Sequence, residues 1–139
     1  MKAQDLRIGN YVINWHGKEC KVTFDHYLFH YDREQGFTED WNSYKPIGLT
    51  EDWIKKFGFI TMDAEVDFME YAKEFEEGSF RFSLYNDGGL NEANDYPFYI
   101  TTTGQMKGWE TEYKTEIKYV HQLQNLYYSL TGEELTINE

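Results

Sequence analysis

Four histidines, His16, His26, His30 and His121, and one cysteine, Cys20, carry the most versatile reactive chemistry in this chain. His26 and His30 stand four apart, a spacing that brings two imidazoles to one metal ion when the backbone is helical. Their surroundings read otherwise. Cys20 to Tyr31 has the alternation of a long strand, with Val22, Phe24 and Leu28 on one face and Tyr27, Phe29 and Tyr31 on the other. Four residues of strand span about 13 Å, so one ion cannot reach both rings directly. These histidines are expected to be partly exposed strand residues, and no metal or cofactor is expected. Cys20 would act as a nucleophile only beside a base that a third group orients. No such third group can be nominated, and a lone cysteine in a strand reads as a small buried hydrophobe.

The acidic residues Asp63, Glu65, Asp67 and Glu74 match some ligand positions of a calcium-binding loop. That loop needs glycine at its sixth position, where this chain has Phe68, so the match fails. Asn86-Asp87-Gly88-Gly89 reads as a plain reverse turn. The chain has no G-x-G-x-x-G, no Walker-type lysine loop and no G-x-S-x-G elbow. Carboxylates are abundant, yet none stands in a recognisable catalytic frame. No catalytic residue is nominated.

Two sets of residues point to contact rather than reaction. Near the C-terminus, His121, Gln124 and Tyr128 share one side of a helical pattern, and Gln122, Asn125 and Ser129 another. Such a row would read a partner, or it would be a solvated face with an amide or two bonded to neighbouring backbone. The second reading is favoured, although an interior asparagine is a poor helix former and needs a reason to be there. Aromatic residues make up 19% of the chain. Tyr27, Phe29, Tyr31, Trp41, Tyr96, Tyr99 and Tyr128 exceed what the expected inner faces require. Tyrosine and tryptophan are enriched in protein interfaces, so these rings, with His121 and Gln124, form the candidate interaction surface. The alternative, that a small domain with few leucines builds its core from rings, stays open.

The elements that must position these residues follow from local pattern. Leu6 to Ile13 gives a lead-in, a turn at Gly9-Asn10 and a strand, and Trp15-His16-Gly17-Lys18 turns a hairpin. Asp32 to Ser43 is polar and reads as a loop. Tyr44 to Ile47 is extended, because the residue before Pro46 avoids the helical region. Thr50 caps a helix whose first turn carries Glu51 and Asp52, with Leu49 and Ile54 at the spacing of a hydrophobic staple and Gly58 as its stop. Residues 63–77 carry two periods at once. Ala64, Phe68, Tyr71, Ala72 and Phe75 fit a helical face, whereas Met69, Tyr71 and Phe75 alternate toward a hairpin at Glu77-Gly78-Ser79. Propensity favours the helix. Phe80 to Tyr85, Phe98 to Thr103 and Tyr113 to Ile117 read as strands, and Tyr119 to Leu130 as a helix ended at Gly132.

The 139 residues suffice for one domain with a core of its own. We expect a single α+β domain, β-rich over 1–45 and α+β over 46–139: a small N-terminal β-unit, a helix, antiparallel strands and a C-terminal helix packed on the sheet. The net charge of −12 is unevenly placed. Residues 1–59 hold 8 basic and 9 acidic side chains, a net of −1, and residues 60–139 hold 5 and 16, a net of −11. The second half would repel phosphate backbones, so direct nucleic-acid binding is not expected of it. With one cysteine, no apolar run behind Lys2 and no stretch long enough to span a bilayer, a cytoplasmic protein is the simplest reading.

Two stretches together carry a resemblance. Tyr44-Lys45-Pro46-Ile47-Gly48-Leu49-Thr50-Glu51-Asp52-Trp53 runs on to Lys56-Phe57-Gly58-Phe59. Ile117-Lys118-Tyr119-Val120-His121-Gln122-Leu123-Gln124-Asn125-Leu126-Tyr127 runs on to Leu130-Thr131-Gly132-Glu133-Glu134-Leu135. With the opening Asp5-Leu6-Arg7-Ile8-Gly9-Asn10-Tyr11-Val12, these resemble an uncharacterised family of short proteins from Bacteroidetes genomes, prophages and mobile elements. The resemblance covers the first third and the last sixth of the chain and implies a genomic setting but no mechanism. The opening is also similar to the first strand of SH3-like barrels, which would imply a binding module.

Three functional expectations follow. The first is a non-enzymatic accessory or interaction protein that meets another protein through aromatic groups rimmed by acid. The second is an acidic mimic of a nucleic-acid backbone occupying the basic groove of a nuclease or repressor, which requires the acids of 60–139 to gather in one stripe. The third is a small enzyme acting on a saccharide, which requires two carboxyl groups at a catalytic separation in a concave pocket.

Overall fold

The computed structural model describes residues 5–23, 44–65, 68–75, 80–86, 98–104 and 109–137, with only the backbone described at 63–65, 68–69, 74–75, 80–82, 85–86, 98–104 and 109–115. The α+β class is observed. The chain divides into two compact units, Met1–Gly48 with Tyr119–Leu135, and Leu49–Lys118 with Thr136–Glu139.

In the N-terminal unit, β1 (Tyr11–Ile13) and β2 (Glu19–Lys21) pair antiparallel, with Val12 opposite Cys20. The turn between them lies where the sequence predicts it. The Asn14 side-chain oxygen accepts from the N–H groups of His16 at 2.9 Å and Lys18 at 3.1 Å, the local bonding that suits asparagine to turns. Gly17 takes φ +75°, which a side chain would oppose. Ile13 and Lys45 exchange backbone hydrogen bonds of 2.9 Å in both directions, so the extended segment before Pro46 adds to this small sheet. Leu6, Val12, Val22 and Tyr44 form the core, with Cys20 packed against it. The expected long strand over Cys20 to Tyr31 is seen only as far as Lys21; residues 24–43 lie outside the described residues, with the predicted loop at 32–43, His26 and His30.

The helix α2 (Val120–Thr131) completes this unit. Its apolar face buries Val120, Leu123 and Tyr127. Gly132 ends it in the left-handed region at φ +74°, its N–H bonded to the Tyr128 carbonyl at 2.8 Å, and Leu135 is buried just beyond. The expectation that the C-terminal helix belongs to the second part of the chain is corrected here: α2 packs with β1. The physical reason is a set of side-chain hydrogen bonds from α2 to residues 5–11.

The second unit opens with α1 (Glu51–Lys56). The Thr50 hydroxyl accepts from the Trp53 N–H at 3.4 Å, Leu49 and Ile54 are buried, and Gly58 stops the helix at φ +85°. Five strands follow: β3 (Ile60–Glu65), β4 (Phe68–Phe75), β5 (Phe80–Asn86), β6 (Phe98–Gly104) and β7 (Trp109–Ile117). They form one antiparallel meander in the order β3-β4-β5-β6-β7.

The helix expected over 63–77 is therefore not formed; its residues make the end of β3 and all of β4. The alternation of Met69, Tyr71 and Phe75 wins over helix propensity because β4 has a partner on each side. Tyr71 stands opposite both Thr61 and Leu84, and Phe75 opposite Phe80. Cross-strand pairs of this kind supply the stabilisation that local propensity cannot. The strand expected at Tyr113–Ile117 is also longer than its apolar pattern suggested, beginning at Trp109.

Candidate interaction surface

The polar residues of α2 hold the N-terminal unit together. Gln124 is fully buried. Its Oε1 accepts from the Tyr11 N–H at 2.9 Å, and its Nε2 donates to the carbonyls of Gly9 at 3.0 Å and Leu135 at 3.2 Å. Asn125 Nδ2 donates to the Asp5 carbonyl at 3.1 Å, and its Oδ1 accepts from Asn10 Nδ2 at 3.0 Å. The Asn10 Oδ1 in turn accepts from the Arg7 N–H at 2.7 Å. Backbone groups of the N-terminal segment find their partners on helix side chains more than 100 positions away.

His121 is also buried and stacks on Tyr119, with ring centroids 5.8 Å apart and planes 11° from parallel. Among the described residues its Nδ1 has no hydrogen-bond partner. Burial lowers its pKa from the ordinary 6.5, while the Asp5 carboxylate pulls the other way. His121 and Gln124, expected on the interaction surface, are buried, and the bonds of the Gln124 amide go to backbone groups of its own unit. Tyr128 is exposed as expected, with the Arg7 guanidinium 4.1 Å above its ring and Arg7 paired to Glu134.

Of the other expected surface rings, Tyr27, Phe29, Tyr31, Trp41 and Tyr96 lie outside the described residues, and only the backbone of Tyr99 is described. Among the described aromatics, Tyr44, Trp53, Phe57, Phe59, Tyr71 and Tyr127 are buried, and Trp15, Tyr119 and Tyr128 are exposed. Core use of rings thus predominates in what is described. Trp15 stands edge-on to Tyr44 at 5.6 Å on the β1–β2 turn. Cys20 is half-buried and burial raises its thiol pKa, which disfavours the thiolate. Among the described residues no group of three or more His, Cys, Asp or Glu gathers to hold a metal, and no helix is long and apolar enough to cross a membrane.

The sheet unit shows an arrangement that sequence pattern alone does not reveal. Residues directly opposite in an antiparallel pair share a face, and successive residues along a strand alternate. Tracing the register from Tyr71 assigns Thr61, Ala64, Met69, Tyr71, Lys73, Phe75, Phe80, Phe82, Leu84, Ile100, Thr102, Thr111 and Tyr113 to one face. None of these described positions is acidic. Lys73 Nζ donates to the Phe57 carbonyl at 2.6 Å, and Glu51 acts on the Tyr71 hydroxyl, so both ends of α1 engage it. Burial foremost, then Glu51, pushes the Tyr71 pKa up to about 12.

The opposite face receives Asp63, Glu65, Glu70, Glu74, Glu110 and Glu112 by the same register, with Arg81 as the basic residue among the paired positions; alternation along β7 adds Lys114 and Glu116. The acidic positions fall on β3 and β4 on one side and on β7 on the other. Between them stand Ser83, Tyr85, Tyr99, Thr101 and Thr103, and the small residues Ala72 and Ser83 near the centre are buried. Ile60, at the β3 edge of this face, is 63% exposed. The signal available in sequence was the period-two spacing of Glu110 with Glu112. It says nothing of β3 and β4 until register joins them. Compared with protein-family models, curated proteins and solved structures, the chain matches none.

Proposed function

We propose that this is a non-enzymatic interaction protein that meets a basic surface of another protein with the acidic face of its five-stranded sheet. The observation that carries the reading is the segregation of charge by register: among the paired positions described, six acidic residues and one arginine fall on one face and no acid on the other, and alternation along β7 adds Lys114 and Glu116 to the acidic face. The acidic positions give that face a long-range attraction for basic partners, which speeds encounter and selects against acidic ones. The cytoplasmic setting and the accessory role in a phage or mobile element belong to this proposal, supported by the resemblance of the flanking segments. The test is capture from an extract of the native host with the full chain, its Glu70→Lys/Glu112→Lys variant, and a control with the same charge change, Glu19→Lys/Glu133→Lys, in the N-terminal unit. A protein retained by the wild type and the control but lost with the sheet variant supports the reading. Equal capture by the sheet variant sinks it.

A second reading, imitation of a nucleic-acid backbone, draws support from the gathering of these acids on one face, where they stand in two rows and not in the single stripe first expected. From β4 to β7 is three strand spacings, about 14 Å, close to the roughly 12 Å width of a duplex major groove. Under this reading, duplex DNA displaces the captured partner and binding falls steeply with added salt. A partner that ignores duplex DNA leaves the first reading standing and removes the second.

A further inference from the structure

The chain passes from the N-terminal unit into the sheet unit at 48–49, returns at 118–119, and its last residues from Thr136 group with the sheet unit again. The sheet unit closes its own entrance: the Leu49 N–H donates to the Lys118 carbonyl at 2.9 Å. The N-terminal unit closes its own seam. There the Val120 N–H donates to the Ile47 carbonyl at 2.9 Å, and Gly48 bridges Tyr119 antiparallel. Residues paired in this way lie about 4.5 to 5.5 Å apart at Cα, so the seam spans no more than a tight turn would. Each unit also holds its own partners. The bonds of Gln124 and Asn125 go to Asp5, Gly9, Asn10, Tyr11 and Leu135, all in the N-terminal unit. In the sheet unit, Lys73 bonds Phe57, and Tyr71 and Leu84 are buried on the face that α1 engages.

We propose that residues 49–118 are an insertion that opens and refolds as a unit of its own while the N-terminal unit stays closed. Insertion is tolerated where the ends of the guest lie together, because the host then keeps its path and its hydrogen bonds. The consequence is a built-in conformational device: a sheet able to loosen in a sub-global opening without releasing the host that carries it. It is independent of what the sheet binds.

Native-state hydrogen exchange of the full chain, before and after Leu84→Ala, tests this. Amide protection in β4, β5 and β6 falls about 100-fold, the usual scale for truncating a fully buried leucine, while protection across α2 stays within twofold. Val12→Ala gives the converse, a loss in β1 and α2 with the sheet unchanged. If Leu84→Ala abolishes the sheet altogether, persistent α2 protection still supports the insertion. Loss of protection in both units by the same factor, from either variant, overturns it.

Discussion

The two units are held by different means. In the N-terminal unit the described strands are three residues long, and much of the work falls to side-chain amides: Gln124, Asn125 and Asn10 bind backbone groups or one another across 115 or so positions of sequence. In the sheet unit, neighbouring strands are consecutive in sequence and their backbones pair directly. A sheet ladder spreads its strength over many interchangeable bonds, whereas an amide clamp concentrates it in a few groups that tolerate no substitute. Local pairing also carries a smaller loop-closure entropy, so the meander is expected to form first and the N-terminal unit to close once both of its ends have been made.

The largest expected effect is in the sheet unit's apolar support. Ile54→Ala removes a fully buried side chain from α1 and is expected to lower stability by about 3 kcal/mol in urea unfolding; a loss below about 1 kcal/mol would show that α1 does not brace the sheet. Next comes the clamp. Gln124→Leu keeps the size but strands the Tyr11 N–H and the carbonyls of Gly9 and Leu135. It should cost about 2 to 3 kcal/mol, read in the α2 amides. A silent Gln124→Leu would erase the contrast between the units.

Proton linkage separates them further. His121 has a lowered folded pKa, so the unfolded chain binds the proton more readily. Its contribution is fully present above pH 6.5 and is lost as pH falls below that value. Unfolding midpoints measured from pH 7.5 down to 5 should decline, and His121→Gln should flatten the decline. At the other end, Tyr71 is raised to about 12 from 10.0, so its contribution is intact below pH 10 and is lost as pH climbs toward 12. Tyr71→Phe should flatten the alkaline limb in the sheet amides. Tyr127, raised by burial and Glu133, adds a smaller alkaline effect in the N-terminal unit. Smaller still, Thr50→Ala removes the α1 cap for about 1 kcal/mol. Glu116→Gln, in an exposed pair with Lys118, should change the midpoint by less than about 0.5 kcal/mol.

Much of the local structure was legible in the residues. Thr50, the Leu49 and Ile54 pair and Gly58 mark α1, Gly132 ends α2, and the turn at Trp15 to Lys18 is where its residue types put it. The candidate surface was less legible. Tyr128 is exposed, but Gln124 and His121 are buried, because a polar residue on a helix looks the same in sequence whether it faces water or an unpaired backbone.

By itself the sequence determined the class of the fold, the ends of its helices and the lack of any recognisable reactive motif, since caps, stops and periodicity are settled within a few residues of chain. Only the tertiary structure decided that 68–75 is a strand, that the last helix belongs with the first strands, and that the acids of β3, β4 and β7 share one face. Those outcomes depend on register and on partners distant in sequence. A shift of one residue in pairing would send the same side chains to the other side of the sheet.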